Sequence, residues 1–213
     1  MKKYVLVGTG ARALSMFAKP MAADWSDRID FAGVYDLNPK RAHLLSKECD
    51  NVPVFEDFDE MLAQVQPDKV IVASMDSAHH QYIIAALKAG CDVITEKPMT
   101  IDEDKARKIL NAQRETKKNI LVTFNLRYAP YFAAVKKLLD EGKIGDIRHI
   151  DLEWYLDRDH GTEYFRRWHA EMKYSGGLLV HKSSHHFDIV NWWLNAWPKK
   201  VHAFGIKKKF LEM

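Results

Sequence analysis

The chain has 213 residues, 47% of them hydrophobic, enough for one large domain or two small ones and too apolar for a disordered chain. Charged residues make up 29% and the formal net charge is only +3, so no global basic field argues for a nucleic acid partner. The local lysine clusters at Lys118, Lys199 and residues 207–209 read as solvated surface.

The chain opens on YVLV, a short apolar strand, then GTGARA and a periodic helical stretch. The lysines ahead of YVLV resemble the start of a signal peptide, but the apolar run is short and is cut by glycines, so a strand entering a turn is expected. Gly8, Gly10 and Ala13 have G-x-G-x-x-A spacing between a strand and a helix, where a phosphate-binding turn must lie. Gly8 permits the tight turn, Gly10 leaves room for a pyrophosphate, and Ala13 lets the helix pack close to the sheet. The second strand, FAGVY, ends in Asp36, about twenty residues on, where a carboxylate can accept hydrogen bonds from an adenosine ribose. That carboxylate repels a 2′-phosphate and favours NAD over NADP, a preference that Arg12 and Arg41 partly offset.

Next come two near-continuous apolar strands, KVIVAS and CDVITE, with the helix HHQYIIAALKAG between them. Covered strands alternating with helices predict a mainly parallel sheet. The strand ends at Ser74, Asp76 and Glu96 are then expected to open on the same edge as the glycine turn, the edge that binds ligands in such folds. Lys97 follows Glu96 and precedes Pro98, which favours an extended conformation at Lys97. A fixed ammonium there can hold a substrate hydroxyl and stabilise charge on its oxygen; a surface lysine before a helix-starting proline is the plainer alternative. His79 and His80 begin a helix close to the expected cofactor, although satisfied or solvent-facing imidazoles also account for them. Two cysteines, Cys49 and Cys91, stand far apart in no CxxC spacing, which fits a reducing, cytoplasmic compartment. No run reaches the ~18 apolar residues of a membrane helix.

A change of texture near residues 123–127 predicts a boundary between a nucleotide-binding domain, 1–123, and a second domain, 124–213. Residues 130–142 read as an amphipathic helix, and IRHIDLEWYL alternates like a half-buried strand. HGTEYFRRWHAEMKYSGG is expected to form a loop or short helices shaping a pocket, with Arg166, Arg167, Trp168 and His169 as candidate substrate contacts. From Gly177 a single helix is predicted through LLVHKSSHHFDIVNWWLNAW, on which His181, His185 and Asp188 can share a face. Three roles compete for that face. An imidazole near neutral pKa can act as general base, with His185 favoured and His181 or Asp188 orienting it. H-x-x-x-H with a carboxylate can also bind a divalent ion, but the residue after His181 is Lys182, which disfavours a cation, and no metal is expected. The third role is a purely structural cluster.

GTGARA, Asp36, the EKP at 96–98, NLRYAP, GKIGDI and GGLLVHKSSHHFDIVNWWL, in this order, resemble the Gfo/Idh/MocA family of NAD(P)-dependent oxidoreductases across nearly the whole chain. The resemblance implies a Rossmann domain followed by an α+β domain with an open, mainly antiparallel sheet, often an oligomer interface, so a homodimer or higher oligomer is expected. It implies hydride transfer between nicotinamide and a hydroxyl or keto carbon of a sugar, inositol or related polyol. Lys97 corresponds to the family's EKP lysine, and His185 and Asp188 to the histidine and final aspartate of its second motif. His181 departs from the pattern, since many of the sugar and inositol dehydrogenases carry aspartate there.

The chain is also shorter than the family's enzymes usually are, so the second sheet is expected to be incomplete, with VHAFGI as its last strand and KKKFLEM as a tail. Two other readings stand beside the dehydrogenase. One is a truncated nucleotide-binding protein without catalytic activity; the other is an NAD-recycling, glycoside-cleaving enzyme.

Overall fold

The computed structural model describes residues 1–205, apart from the side chains of residues 158 and 160. Six strands, β1 (Lys2–Val7), β2 (Ile29–Tyr35), β3 (Val54–Phe55), β4 (Lys69–Val72), β5 (Asp92–Thr95) and β6 (Ile120–Val122), form one sheet in the order β3-β2-β1-β4-β5-β6. Every adjacent pair is parallel. Consecutive side chains of a strand face opposite ways, and both faces here are covered. Val5, Val7, Val70 and Val72 pack with Met61, Ile83, Leu87 and Ile109 on one side. Leu6, Val34 and Ile71 pack with Ala13, Ala18, Met21 and Leu45 on the other. The unbroken apolar runs of β1 and β4 follow from this double burial.

On the first face lie the helices Phe58–Val65, His79–Lys88 and Glu103–Thr116. Asp57 and Asp102 begin two of them, each side chain accepting a backbone N–H three residues on, from Glu60 at 2.7 Å and Lys105 at 2.9 Å. The opposite face is covered by Pro39–Lys47 and by a helical run made of Ala11–Ala13, a π-turn Leu14–Ala18 and Lys19–Ala22. Successive strands are added outward to one side from β1 and to the other from β4, so a crevice opens beyond the C-terminal ends of these two parallel strands.

The second half is helical where it is regular. Pro130–Asp140 packs on Ser184–Leu194 through Phe132 and Trp193, whose ring centroids lie 5.6 Å apart, and Trp193 Nε1 donates to the Phe132 carbonyl at 3.2 Å. Between them run Arg158–Arg166, a 3-10 turn Trp168–Ala170, Met172–Ser175 and Gly177–His181.

Two expectations fail here. Residues 147–156 form no strand, although Trp154, itself exposed, does pack on His186, with ring centroids 4.4 Å apart. A strand exists through a neighbour that pairs with its N–H and C=O groups, and among the described residues none lies beside this segment. All strands in the described residues belong to the parallel sheet, so the antiparallel sheet is not formed there. Residues 201–205 likewise carry no strand, and residue 206, the 207–209 lysines and the rest of the tail lie outside the described residues.

The second failure is the single long helix from Gly177. It breaks at Lys182 and Ser183 into Gly177–His181 and Ser184–Leu194. Thus His181 and His185 do not share one continuous helical face.

Candidate active site

The glycine turn closes against the neighbouring strand end. Gly8 has φ +92°, and a Cβ there would stand 2.5 Å from the Ala73 carbonyl oxygen, so only glycine allows this approach. Its N–H donates to the Tyr35 carbonyl at 2.9 Å. At Gly10 an added Cβ would meet nothing nearer than the Arg41 guanidinium, 3.9 Å away. The helical run beginning at Ala11 has no side-chain cap and no acidic residue in its first turn, and Ala13 is fully buried against the sheet. Its first N–H groups are therefore left for an anion. Ser74, just beyond β4, has a buried hydroxyl with no hydrogen-bond partner. Open space over Gly10, uncapped helix N–H groups and an orphaned hydroxyl fit the pyrophosphate side of a dinucleotide.

Asp36 stands at the end of β2 and closes this turn from beside it. Its Oδ2 accepts from Thr9 N and Thr9 Oγ1, both at 2.7 Å, while Oδ1 accepts from Asn38 N at 2.8 Å. An ionised carboxylate has about four acceptor positions, so one remains for a ribose hydroxyl.

The EKP turn after β5 is tied back to the glycine turn. Arg12 Nε donates to Glu96 Oε1 at 3.0 Å and Lys97 N donates to Glu96 Oε2 at 3.2 Å, with Glu96 buried. Glu96 therefore braces the two turns, contrary to its expected place among the cofactor contacts. His79 needs the same correction. It is 1% exposed, with Nδ1 2.9 Å from the Pro98 carbonyl and Nε2 3.0 Å from the Ser74 carbonyl. Both ring nitrogens face the backbone, so none is left for a cofactor; the ring holds the two strand ends together. The peptide between Lys97 and Pro98 is cis.

Lys97 points from this edge into the second half, where Nζ donates to the His181 carbonyl at 2.9 Å. Burial pushes its pKa down to about 8, against the upward pull of Asp76 and Glu96. Asp76 is 4% exposed, and burial pushes its carboxyl up to about 7 in spite of His79, Lys97 and His169 around it. Its Oδ2 lies 2.5 Å from His181 Nδ1, a contact that needs one proton between the two atoms. Asp76 is thus joined to the histidine cluster across the two halves.

His185 is buried, and its Nδ1 has no partner. Burial first, then the charges of Lys97, Lys182 and Arg12, push its pKa down to about 3, well below the near-neutral value expected for a base. Asp188 is turned elsewhere. Arg127 grips both its oxygens, with Nε to Oδ2 at 2.8 Å and Nη2 to Oδ1, and the guanidinium lies 5.7 Å from the Phe124 ring centre. This aspartate anchors the segment after β6 and is not a partner of His185, a correction that its i+3 spacing from His185 concealed.

A shell of residues closes over His181. Its ring is 4.6 Å from that of His169 and 5.5 Å from that of Tyr164, while Trp168 stacks on His169 at 3.8 Å. The His169 Nδ1 is buried without a partner, and burial followed by His181 pushes that imidazole down to about 4. Of the four candidate substrate contacts, Trp168 and His169 face the site; Arg167 pairs with Glu163 at 2.6 Å on the surface, and Arg166 is exposed. Sequence reasoning passed over Tyr164, for which the aromatic spacing of EYFRRWH was the available signal, and weighed Lys182 only as a charge that disfavours a cation beside His181.

This sheet order, with a glycine turn at the point where the order reverses and a half-buried lysine beside it, defines a Rossmann-fold dinucleotide-binding protein. The comparisons narrow the class. The Gfo/Idh/MocA model for the oxidoreductase family with an NAD-binding Rossmann fold matches residues 2–124, and the model for that family's C-terminal alpha/beta domain matches residues 136–211. The chain belongs to this family.

YteT of Bacillus subtilis (strain 168) is 43% identical over 210 residues, which is 96% of this chain and 49% of that one. The inositol 2-dehydrogenase of Rhizobium meliloti (strain 1021) is 28% identical over 203 residues, 94% of this chain and 57% of that one. Among solved structures, the scyllo-inositol dehydrogenase of Lactobacillus casei with bound NAD(H) and scyllo-inositol superposes with a TM-score of 0.77 at 26% identity, covering 92% of this chain and 56% of the other. The chain spans about half the length of the curated relatives it matches.

Proposed function

We propose that the chain binds NAD and carries the site for hydride transfer between nicotinamide and a hydroxyl or keto carbon of a sugar, inositol or related polyol. The observation that carries this reading is Lys97, half-buried at the strand edge beside the glycine turn with its ammonium directed at the His181 segment. The glycine turn and uncapped helix start hold the pyrophosphate, Asp36 takes a ribose hydroxyl, and Ser74 lines the crevice between them. When bound, the nicotinamide supplies the hydride acceptor or donor. Lys97 holds the substrate oxygen and stabilises the charge that develops on it.

His185 takes the hydroxyl proton on oxidation. Between its low pKa, about 3, and that of Lys97, about 8, the imidazole is neutral and the ammonium charged, the pair of states that oxidation requires. Polyols as a class are supported by the relatives named inositol 2-dehydrogenase and by the neighbour crystallised with scyllo-inositol.

In this reading, residues 1–123 carry the nucleotide and residues 124–213 supply the substrate wall and any contact between copies in a homo-oligomer. NAD is preferred to NADP because Asp36 stands where a 2′-phosphate would be repelled. A cytoplasmic setting accords with the free, buried thiols of Cys49 and Cys91. The test is NADH fluorescence on binding, followed by NAD reduction across a panel of inositols and sugars. Binding without turnover on any of them leaves a nucleotide-binding protein and removes the dehydrogenase.

A further inference from the structure

Asp76 and His181 come from opposite halves of the molecule and meet at 2.5 Å, with Asp76 almost wholly enclosed. The backbone carbonyl of the same His181 receives the Lys97 ammonium at 2.9 Å. One residue therefore presents its ring to a carboxylate and its carbonyl to the lysine. Gly176, the residue just before that short helix, has φ +68° and backs onto the Ile101 carbonyl, where a Cβ would stand 2.9 Å away, so the helix is seated directly on the first half. Ser175 Oγ ties the approach to it by donating to the His169 carbonyl at 2.8 Å and accepting from Gly177 N at 3.0 Å.

We infer that Asp76 is a positioning residue for Lys97: with His181 it forms one carboxylate–imidazole unit that fixes the His181 carbonyl against the ammonium and sets a negative charge beside it. The inference deepens the proposed function, since it rests on Lys97 as the group that holds the substrate oxygen. An aspartate at position 181 would bring its own charge; here a histidine stands there, and Asp76 supplies the charge from the end of β4. The charges bearing on Lys97 are Asp76 and Glu96, which favour its protonation, and Lys182 and Arg12, which oppose it. Facing Asp76 are His79, His169 and Lys97, and Tyr164 packs edge-on to His181. Glu96 is already gripped by Arg12. Asp76 is consequently the acid whose removal leaves Lys97 among opposing cations.

The test uses nuclear magnetic resonance of the whole chain, following histidine ring protons and the Lys97 side chain across pH. Wild type should show a strongly downfield imidazole proton that is absent from both Asp76→Asn and His181→Gln. The Lys97 midpoint should fall by about one pH unit in Asp76→Asn, the effect of losing a nearby opposite charge, and stay in place in Asp76→Glu. A downfield proton that persists in Asp76→Asn, or a Lys97 midpoint the same in Asp76→Asn as in wild type, overturns the inference. If Asp76→Asn does not fold, His181→Gln decides: loss of the resonance in a folded protein supports the unit, and its persistence overturns it. NADH binding to wild type is scored separately, so failure of the cofactor reading is not mistaken for failure of the pair.

Discussion

The two halves of the molecule bury themselves differently. In the first, β1 and β4 place alternate side chains into two separate cores, and Val5, Leu6, Val70 and Val72 are wholly enclosed. Among the described residues beyond 124, only Phe132, Ser175, His185 and Ile189 are buried. Two of these four are polar, and one is a site histidine. The first half is held by its own layers, whereas the second is held in part by contacts that also build the site, Lys97 to the His181 carbonyl and Asp76 to the His181 ring, and in part by the bracing pair of Arg127 and Asp188. Chemistry and local stability are therefore coupled in the second half and separable in the first.

Removing Lys97 tests that coupling most severely. Lys97→Met should lower turnover by about a hundredfold or more, the scale for losing one donor to a developing oxyanion, while NADH affinity stays near wild type in a fluorescence titration. An equal loss of NADH affinity would place Lys97 with the cofactor and not with the substrate oxygen. Next in size, Leu6→Ala should cost about 2–5 kcal/mol in denaturant unfolding, as a cavity in a closed core does. Arg127→Ala leaves Asp188 without its cation and should raise amide exchange across 177–194 with little change in β1 and β4. Uniform loosening of both halves by Arg127→Ala would erase the distinction between them.

The pH dependence sharpens the comparison. His185 and His169 have folded values of about 3 and 4, below the ordinary 6.5. The unfolded chain binds protons there first, so their contribution is present above about pH 6.5 and is lost as pH falls toward those values. Acid unfolding should accordingly begin in the second half, and His185→Asn should make it less acid-sensitive in circular dichroism melts. At the other end, oxidation should decline above about pH 8 as Lys97 loses its charge. Burial raises Asp76 to about 7, so this group alone makes stability fall as pH rises from about 4 to 7. The smallest effect belongs to Asp36→Ala, which should narrow the preference for NADH over NADPH by about tenfold, or about 1.4 kcal/mol; an unchanged ratio would show that Arg12 and Arg41 set it.

The parallel sheet was legible because double burial leaves a continuous apolar run, and the glycine turn because Gly8 must pass close to a carbonyl. Lys97 was legible for its place between a strand end and a proline. The helix from Gly177 was not: its composition favours one helix, yet the chain breaks at Lys182 once the His181 ring is drawn to Asp76 and its carbonyl to Lys97. The strand expected over residues 147–156 alternates correctly, but alternation specifies a face and not a neighbour to pair with. Asp188 and Glu96 carry the right chemistry for a site, and Arg127 and Arg12 claim them for bracing.

The order of residues by itself determined the strand and helix succession of the first half, its glycine turn, and which side chains can carry protons or charge. Those features depend on local periodicity and backbone sterics, which a linear pattern records. Only the tertiary structure decided which carboxylate meets which imidazole, and hence that Asp76 faces His181 while Asp188 faces Arg127. Such pairings join residues 61 and 105 positions apart, and burial, which exists only after folding, sets their protonation.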